Sequence, residues 1–140
     1  VTGAHGIGVI SDILFDDVNE FDIDALVLPG GLPGADNLEN HKALTELITK
    51  AANDGKIIAA ICAAPKIPGV LGLLAGHKAT CFPGFEARLF GAKISHKRVV
   101  CDKNFITAKG AGVTHEFAAE IASSLKKGVV AKRIIKGMFY

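Results

Sequence analysis

Two continuous apolar runs, separated by an amphipathic stretch, constrain most strongly what this chain can fold into. The run "ALVLPGG" begins at Ala25 and ends in a Pro-Gly-Gly turn, and the run "KIIAAIC" ends at Cys62. Such unbroken apolar runs are typical of strands that a parallel sheet buries on both faces. Between them, the apolar residues of "HKALTELITKAAND" recur at helical spacing until Gly55 ends the helix. Residues 25–62 are therefore predicted to form a β-α-β crossover.

The rest of the chain continues this alternation of strands and helices. A short apolar helix is predicted after Pro65, then a strand in "HKATC" and a hairpin in "RVVCDKNFITAKG". An amphipathic helix in "GVTHEFAAEIASSLKK" and a basic helix in "SLKKGVVAKRIIKG" follow. We predict a single doubly wound α/β domain over residues 1–140.

The first twenty residues are less regular. Ile7 to Ile10 have β character, and a second β-like piece lies near Ile13 to Phe15. Glycines at positions 3, 6 and 8 do not form a G-x-G-x-x-G pattern after a strand, so a dinucleotide fingerprint is rejected.

The composition excludes several classes of protein. The formal net charge is only +2, which gives no strong field toward nucleic acid or membrane surfaces, and we expect neither as a partner. No apolar run reaches the ~18 residues of a spanning helix, and no leader pattern opens the chain, so a cytoplasmic location is expected. The 3 cysteines form no C-x-x-C pair, and no metal-ligand spacing occurs. We therefore expect no disulfide framework, no metal and no cofactor.

Two strand ends carry the candidate site, because ligands of open parallel sheets bind beyond the carboxyl ends of the strands. At the first end, Gly30 and Gly31 lack a Cβ, so their backbone N–H groups could turn into the crevice and bind an oxyanion or a carboxylate. The alternative is an ordinary tight turn.

The second strand end places Cys62 on a predicted strand-to-helix turn. Ala63 is small enough for a sharp elbow and is a candidate for the substrate-binding group, and Pro65 is preset for a first helical turn. Such a turn aims N–H groups at the sulfur, which favours the thiolate and makes Cys62 the candidate nucleophile. The alternative is an inert core thiol, which is the interpretation we give to Cys81 and Cys101.

Four segments together resemble the ThiJ/PfpI superfamily, and within it the subfamily of the Parkinson-disease-associated protein deglycase. They are "ALVLPGGLPGADNL", "IIAAICAAP", "GLLAGHKATCFPGFE" and "FITAKGAGVTHEFAAEI". The resemblance implies a flavodoxin-like fold of the class I glutamine amidotransferase-like type, a three-layer α/β/α sandwich with a mostly parallel sheet, and a homodimer. It also implies that Cys62 is the reactive elbow cysteine and that Gly30 and Gly31 line the oxyanion pocket.

The chain departs from the family pattern at three places. Many members have a histidine where Phe82 stands, and a proline where Ala111 stands. Members also begin with a β-α-β unit that carries a glutamate for the cysteine, and no residue from Val1 onward matches it. The resemblance therefore leads us to expect that a separate or preceding amino-terminal segment completes the sheet.

Two functions follow from the resemblance. In the first, Cys62 attacks a small reactive carbonyl such as methylglyoxal, or its adducts with amines and thiols, as a glyoxalase or deglycase does. In the second, Cys62 is a redox sensor of a stress-responsive chaperone and is oxidised rather than catalytic.

Overall fold

The computed structural model describes residues 1–126 and 129–138. Strands and helices alternate along the chain as predicted. The strands are β1 (Ala25–Leu28), β2 (Ile57–Ile61), β3 (Lys78–Ala79), β4 (Lys93–Ile94), β5 (Val99–Asp102) and β6 (Phe105–Ala108). The helices are α1 (Gly34–Asn40), α2 (Lys42–Asn53), α3 (Lys66–Val70), α4 (Thr114–Lys126) and α5 (Val129–Gly137). Short 3-10 helices lie at Phe15–Asp17, Glu20–Asp22, Glu86–Arg88 and Ala111–Val113.

The main sheet has the strand order β1-β2-β6-β5. Strands β1, β2 and β6 are parallel, and β5 pairs antiparallel with β6 in the predicted hairpin. The register places Leu28 beside Ala60 and Ile61 beside Ala108. The carboxyl ends of the three parallel strands therefore meet at one edge, the edge at which the sequence predicts the candidate site.

Helices cover both faces of this sheet, so the mostly parallel α/β/α sandwich that was predicted is confirmed. On one face, Ile58 and Phe105 pack with Ile48 of α2 and Ile67 of α3. On the other face, Ala59 and Ile106 pack with Phe117 of α4 and complete the second core. Because successive strand residues point to opposite faces, apolar runs without polar interruptions were needed to fill both cores.

Some local predictions were wrong. Residues 7–10 form no strand: an isolated antiparallel bridge joins Thr2 to Gly8, and Ile10 is fully exposed. The strand predicted in "HKATC" is present, but it has only the two residues of β3, which pair with β4 in a separate two-stranded sheet. Helix α1 was not predicted. The physical reason is that "GADNLEN" is too polar to show a continuous apolar stripe.

The basic carboxyl-terminal segment forms α5, as predicted. The part of that prediction that concerns residues 127 and 128, and the side chains of Val129 and Val130, lies outside the described residues. No helix in the described part of the chain combines the length and the apolar character needed to cross a membrane.

Candidate active site

Cys62 follows β2 directly and adopts a left-handed backbone conformation, with φ = 64°. This conformation is rare for a residue with a side chain and marks the sharp elbow that the sequence predicted. Two backbone hydrogen bonds hold the elbow. The Cys62 N–H donates to the carbonyl of Ala108 at 2.9 Å, and the Cys62 carbonyl accepts from the N–H of Phe82 at 2.8 Å. The side chain is half-buried, so the thiol is held in place and remains accessible.

Gly30 lies directly against this elbow. A Cβ added to Gly30 would lie 2.4 Å from the Cys62 Cβ, 2.7 Å from the Ile61 carbonyl oxygen and 3.2 Å from the Ala63 nitrogen. Gly31 has φ = 85°, a conformation that glycine adopts without strain. The fold thus brings the two strand ends that the sequence singled out into direct contact.

Three backbone N–H groups at or beside this contact have no hydrogen-bond acceptor in the described part of the chain. Within the described residues, the N–H groups of Gly30, Gly31 and Ala63 donate no hydrogen bond. Ala63 is itself buried. An unpaired N–H group in a buried residue such as Ala63 is rare in folded proteins, whereas Gly30 is half-buried and Gly31 is exposed. Unpaired N–H groups at a reactive site are suited to bind a developing oxyanion.

Gly110 and Phe82 form the opposite wall. A Cβ added to Gly110 would lie 3.4 Å from the Phe82 ring and 4.0 Å from the Cys62 sulfur. Phe82 remains 48% exposed although it is aromatic. Sequence reasoning did not place Gly110 at the site. The sequence feature that could have indicated Gly110 is a glycine shortly after β6, because β6 ends at the same edge of the sheet as β2.

The other two cysteines have different surroundings. Cys81 is 3% exposed, and burial, followed by the nearby charge of Glu86, raises the pKa of its thiol to about 11. Cys101 is exposed, and partial burial of its sulfur together with the charge of Glu120 raises its pKa. Both thiols are therefore poor nucleophiles near neutral pH.

The histidines that have described contacts serve the scaffold. His41 accepts a hydrogen bond from the Leu44 N–H at 3.1 Å and caps α2, and His77 lies 3.7 Å from Asp102. In residues 1–126 and 129–138, no group of three or more His, Cys, Asp or Glu side chains is arranged to hold a metal ion.

A sheet of this topology, with a cysteine elbow packed on a glycine turn, defines a flavodoxin-like α/β protein with a candidate nucleophile at the edge of the sheet. Residues 1–124 match the DJ-1/PfpI family, and the chain belongs to that family. It is 40% identical over 127 residues to Protein DJ-1 homolog B of Arabidopsis thaliana and 35% identical over 128 residues to Deglycase PfpI of Pyrococcus furiosus. It is also similar to the solved structure of oxidized DJ-1 from Toxoplasma gondii, with 33% identity and a TM-score of 0.90.

The extent of these matches differs. The match to the Arabidopsis protein covers 89% of this chain but only 29% of that protein, whereas the match to the Pyrococcus deglycase covers 90% and 76%. The Toxoplasma structure is matched over 97% of this chain and 74% of that one. The chain thus spans less than a third of the plant relative's length.

Proposed function

We propose that the chain uses the Cys62 thiolate to process small reactive carbonyls, as a glyoxalase or deglycase does. The observation that carries this proposal is the close approach of Gly30 to Cys62 and Ala63, which brings unpaired backbone N–H groups next to the elbow of an accessible thiol. The similarity to relatives that are named deglycases supports carbonyl chemistry.

The proposed reaction begins when the Cys62 sulfur adds to the aldehyde carbon of methylglyoxal. The carbonyl oxygen becomes the oxyanion of a hemithioacetal, and the N–H groups of Gly30, Gly31 and Ala63 stabilise it. A proton then moves from the former aldehyde carbon to the neighbouring ketone carbon, which gives a lactoyl thioester. Water hydrolyses this thioester to lactate and regenerates the thiol. With a glycated amine or thiol as the substrate, the bond from the carbinol carbon to nitrogen or sulfur breaks first, the group leaves with a proton as the free amine or thiol, and the Cys62 sulfur adds to the restored aldehyde carbon.

Lactate formation from methylglyoxal in the absence of glutathione tests the proposal. We expect turnover by the unmodified chain and none by Cys62→Ser. The matched control is Cys101→Ser, which replaces an exposed cysteine on β5 and should keep the full rate. A Cys62→Ser variant that still forms lactate at the same rate would rule out Cys62 as the nucleophile.

A second candidate function is redox sensing, in which peroxide oxidises Cys62 to the sulfenic and then the sulfinic acid. The half-buried but accessible sulfur favours it, and the Toxoplasma relative was solved in an oxidized form. Suppression of the aggregation of an unfolded client protein distinguishes this function from catalysis. The sensor function is supported if peroxide-treated protein protects the client, Cys62→Ser does not, and lactate is never formed.

We also propose that the chain acts as a homodimer, as the resemblance implies. Light scattering of the purified protein measures this directly, and a mass near 14.6 kDa at working concentration would contradict it.

A further inference from the structure

Among the described residues, Lys66 is the only charged residue that is buried. It begins α3 and is only 3% exposed, whereas every other described Lys, Arg, Asp or Glu is at least partly accessible. An unpaired ammonium group in such a position would destabilise the fold. Two carboxylates of α1 compensate it: the Lys66 Nζ contacts Asp36, and it lies 3.0 Å from Glu39.

Glu39 connects this pair to a third element. Its second carboxylate oxygen accepts a hydrogen bond from Arg88 at 2.5 Å, and Arg88 ends the 3-10 helix Glu86–Arg88. We call Asp36, Glu39, Lys66 and Arg88 the ion network. Helix α3, which Lys66 begins, also packs closely on the 3-10 helix, because a Cβ on Gly69 would lie 2.4 Å from the Arg88 carbonyl oxygen.

Each of the three connected elements follows one loop of the candidate site. Helix α1 follows the turn at Gly30 and Gly31, α3 follows the elbow at Cys62, and the 3-10 helix follows Phe82. We propose that Lys66 is a positioning residue. Through the ion network it holds three segments at fixed positions relative to one another: the turn at Gly30 and Gly31, called the oxyanion turn, the elbow at Cys62, and the loop that contains Phe82. This inference rests on the proposed function, since it assigns Lys66 a role in that same site.

The ion network should contribute more to the geometry of the candidate site than to the stability of the fold. Replacing a buried ion pair by apolar residues of similar volume is often neutral for stability or even stabilising. Charged hydrogen bonds, in contrast, fix the distance and direction between two groups, which apolar contacts do not. Burial alone would lower the pKa of Lys66, but hydrogen bonds and charges from Asp36 and Glu39 outweigh it and raise the pKa. The ammonium is therefore charged, and the network intact, at neutral pH.

The test uses Lys66→Met and Glu39→Gln, both in a Cys101→Ser background so that Cys62 is the accessible thiol. Lys66→Met removes the charge at similar length, and Asp36 is exposed enough to be hydrated afterwards. Glu39→Gln leaves Lys66 paired with Asp36, so it serves if Lys66→Met fails to fold. Ile48→Ala, which opens a cavity in the core beside α2 and replaces none of the four network residues, is the control for lost stability.

Three measurements are made on each folded variant: steady-state kinetics with methylglyoxal, which give kcat and KM, the rate of Cys62 alkylation by iodoacetamide, and amide hydrogen exchange. For the network variants we expect kcat to fall roughly tenfold to a hundredfold, since small displacements of reacting groups have effects of this size. We also expect at least a threefold change in the alkylation rate and faster exchange in segments 29–33, 62–66 and 82–86. Ile48→Ala should lower the melting temperature with little change in these three quantities.

The positioning role is overturned if folded Lys66→Met and Glu39→Gln keep the alkylation rate and the loop exchange of the parent. It is also overturned if Ile48→Ala changes them equally, because stability alone would then explain the effect. Alkylation and exchange need no turnover, so the inference is decided even if the parent protein forms no lactate and the proposed function fails.

Discussion

A methyl group placed on Gly30 would lie 2.4 Å from the Cβ of Cys62. Nonbonded carbon atoms are most stable at roughly 3.5–4.0 Å. The missing side chain at Gly30 is therefore what allows the oxyanion turn to rest on the cysteine elbow. The contact is between backbone segments, so it cannot be relieved by rotating a side chain.

Gly30→Ala should consequently disturb the site by pushing the turn and the elbow apart. We expect the free energy of unfolding to fall by about 1–3 kcal/mol, and lactate formation to fall at least about tenfold. Gly72→Ala is the matched control, because Gly72 is not assigned to the site and a Cβ there meets nothing within 4 Å. It should cost about 1 kcal/mol of backbone strain at its positive φ without displacing Cys62. Equal rates for both variants, measured at a temperature where both are folded, would contradict the assigned contact.

The three thiols should differ in their reactivity toward peroxide. Cys62 is accessible at the elbow, whereas Cys81 is buried with a pKa of about 11, and the pKa of the exposed Cys101 is raised. Since the thiolate is the reacting form, we expect oxidation first at Cys62 and last at Cys81. Peptide mass mapping after graded peroxide treatment gives the order. Earlier modification of Cys81 or Cys101 would show that Cys62 is not the most reactive of the three thiols.

The wall formed by Phe82 should influence which carbonyls bind. Its exposed ring and the Cys62 sulfur both lie close to Gly110, since a Cβ added to Gly110 would contact the ring and lie 4.0 Å from the sulfur. An aromatic pair contributes about 0.5–1.5 kcal/mol beyond burial, so the ring should favour phenylglyoxal over methylglyoxal. In Phe82→Ala we expect KM for phenylglyoxal to rise about fivefold and KM for methylglyoxal to change little.

The exposed Phe90 provides the control for that experiment, since Phe90→Ala removes an aromatic ring of similar accessibility from another part of the chain. If Phe90→Ala has the same effect on the two KM values, or if Phe82→Ala changes both substrates equally, Phe82 does not select the substrate.

The architecture and the elbow could be predicted because local pattern and topology agree there. The apolar runs that end at Leu28 and Ile61 must be parallel strands, and parallel strands bring their carboxyl ends to one edge. Small residues after Cys62 then allow the left-handed elbow that the structure contains. This reasoning needed no knowledge of distant contacts.

The ion network could not be predicted, because its contacts join residues far apart in the chain. Lys66 and Asp36 are 30 positions apart, and Arg88 and Glu39 are 49 positions apart. A lysine inside the apolar stretch "AAPKIPGVLGLL" indicates only that some partner is needed. Similarly, the β-like residues Ile7 to Ile10 were assigned by propensity, but β structure depends on a pairing partner, and the described chain offers them only one bridge.

The buried thiol of Cys81 should make the stability of the protein fall at alkaline pH. Burial, and next the charge of Glu86, raise its pKa from 9.0 to about 11. The folded state thus retains the thiol proton of Cys81 over a pH range in which the unfolded chain loses it. The stabilisation is fully present below pH 9 and is lost as the pH rises toward 11. The difference between these two pKa values corresponds to about 3 kcal/mol as an upper value.

Denaturant unfolding of the parent and of Cys81→Ala between pH 8 and pH 11 measures this contribution. The alanine variant lacks the group that titrates, so its free energy of unfolding should decline less steeply over this range, whatever its stability at pH 8. Lys66 and Cys101 also have raised pKa values, but they are present in both proteins and their contribution cancels in the comparison. Cys101→Ser should flatten the profile less than Cys81→Ala, because its sulfur is more accessible to water. Parallel declines of the parent and Cys81→Ala would mean that Cys81 ionises in the folded protein as readily as in the unfolded chain, and its burial would then have no electrostatic consequence.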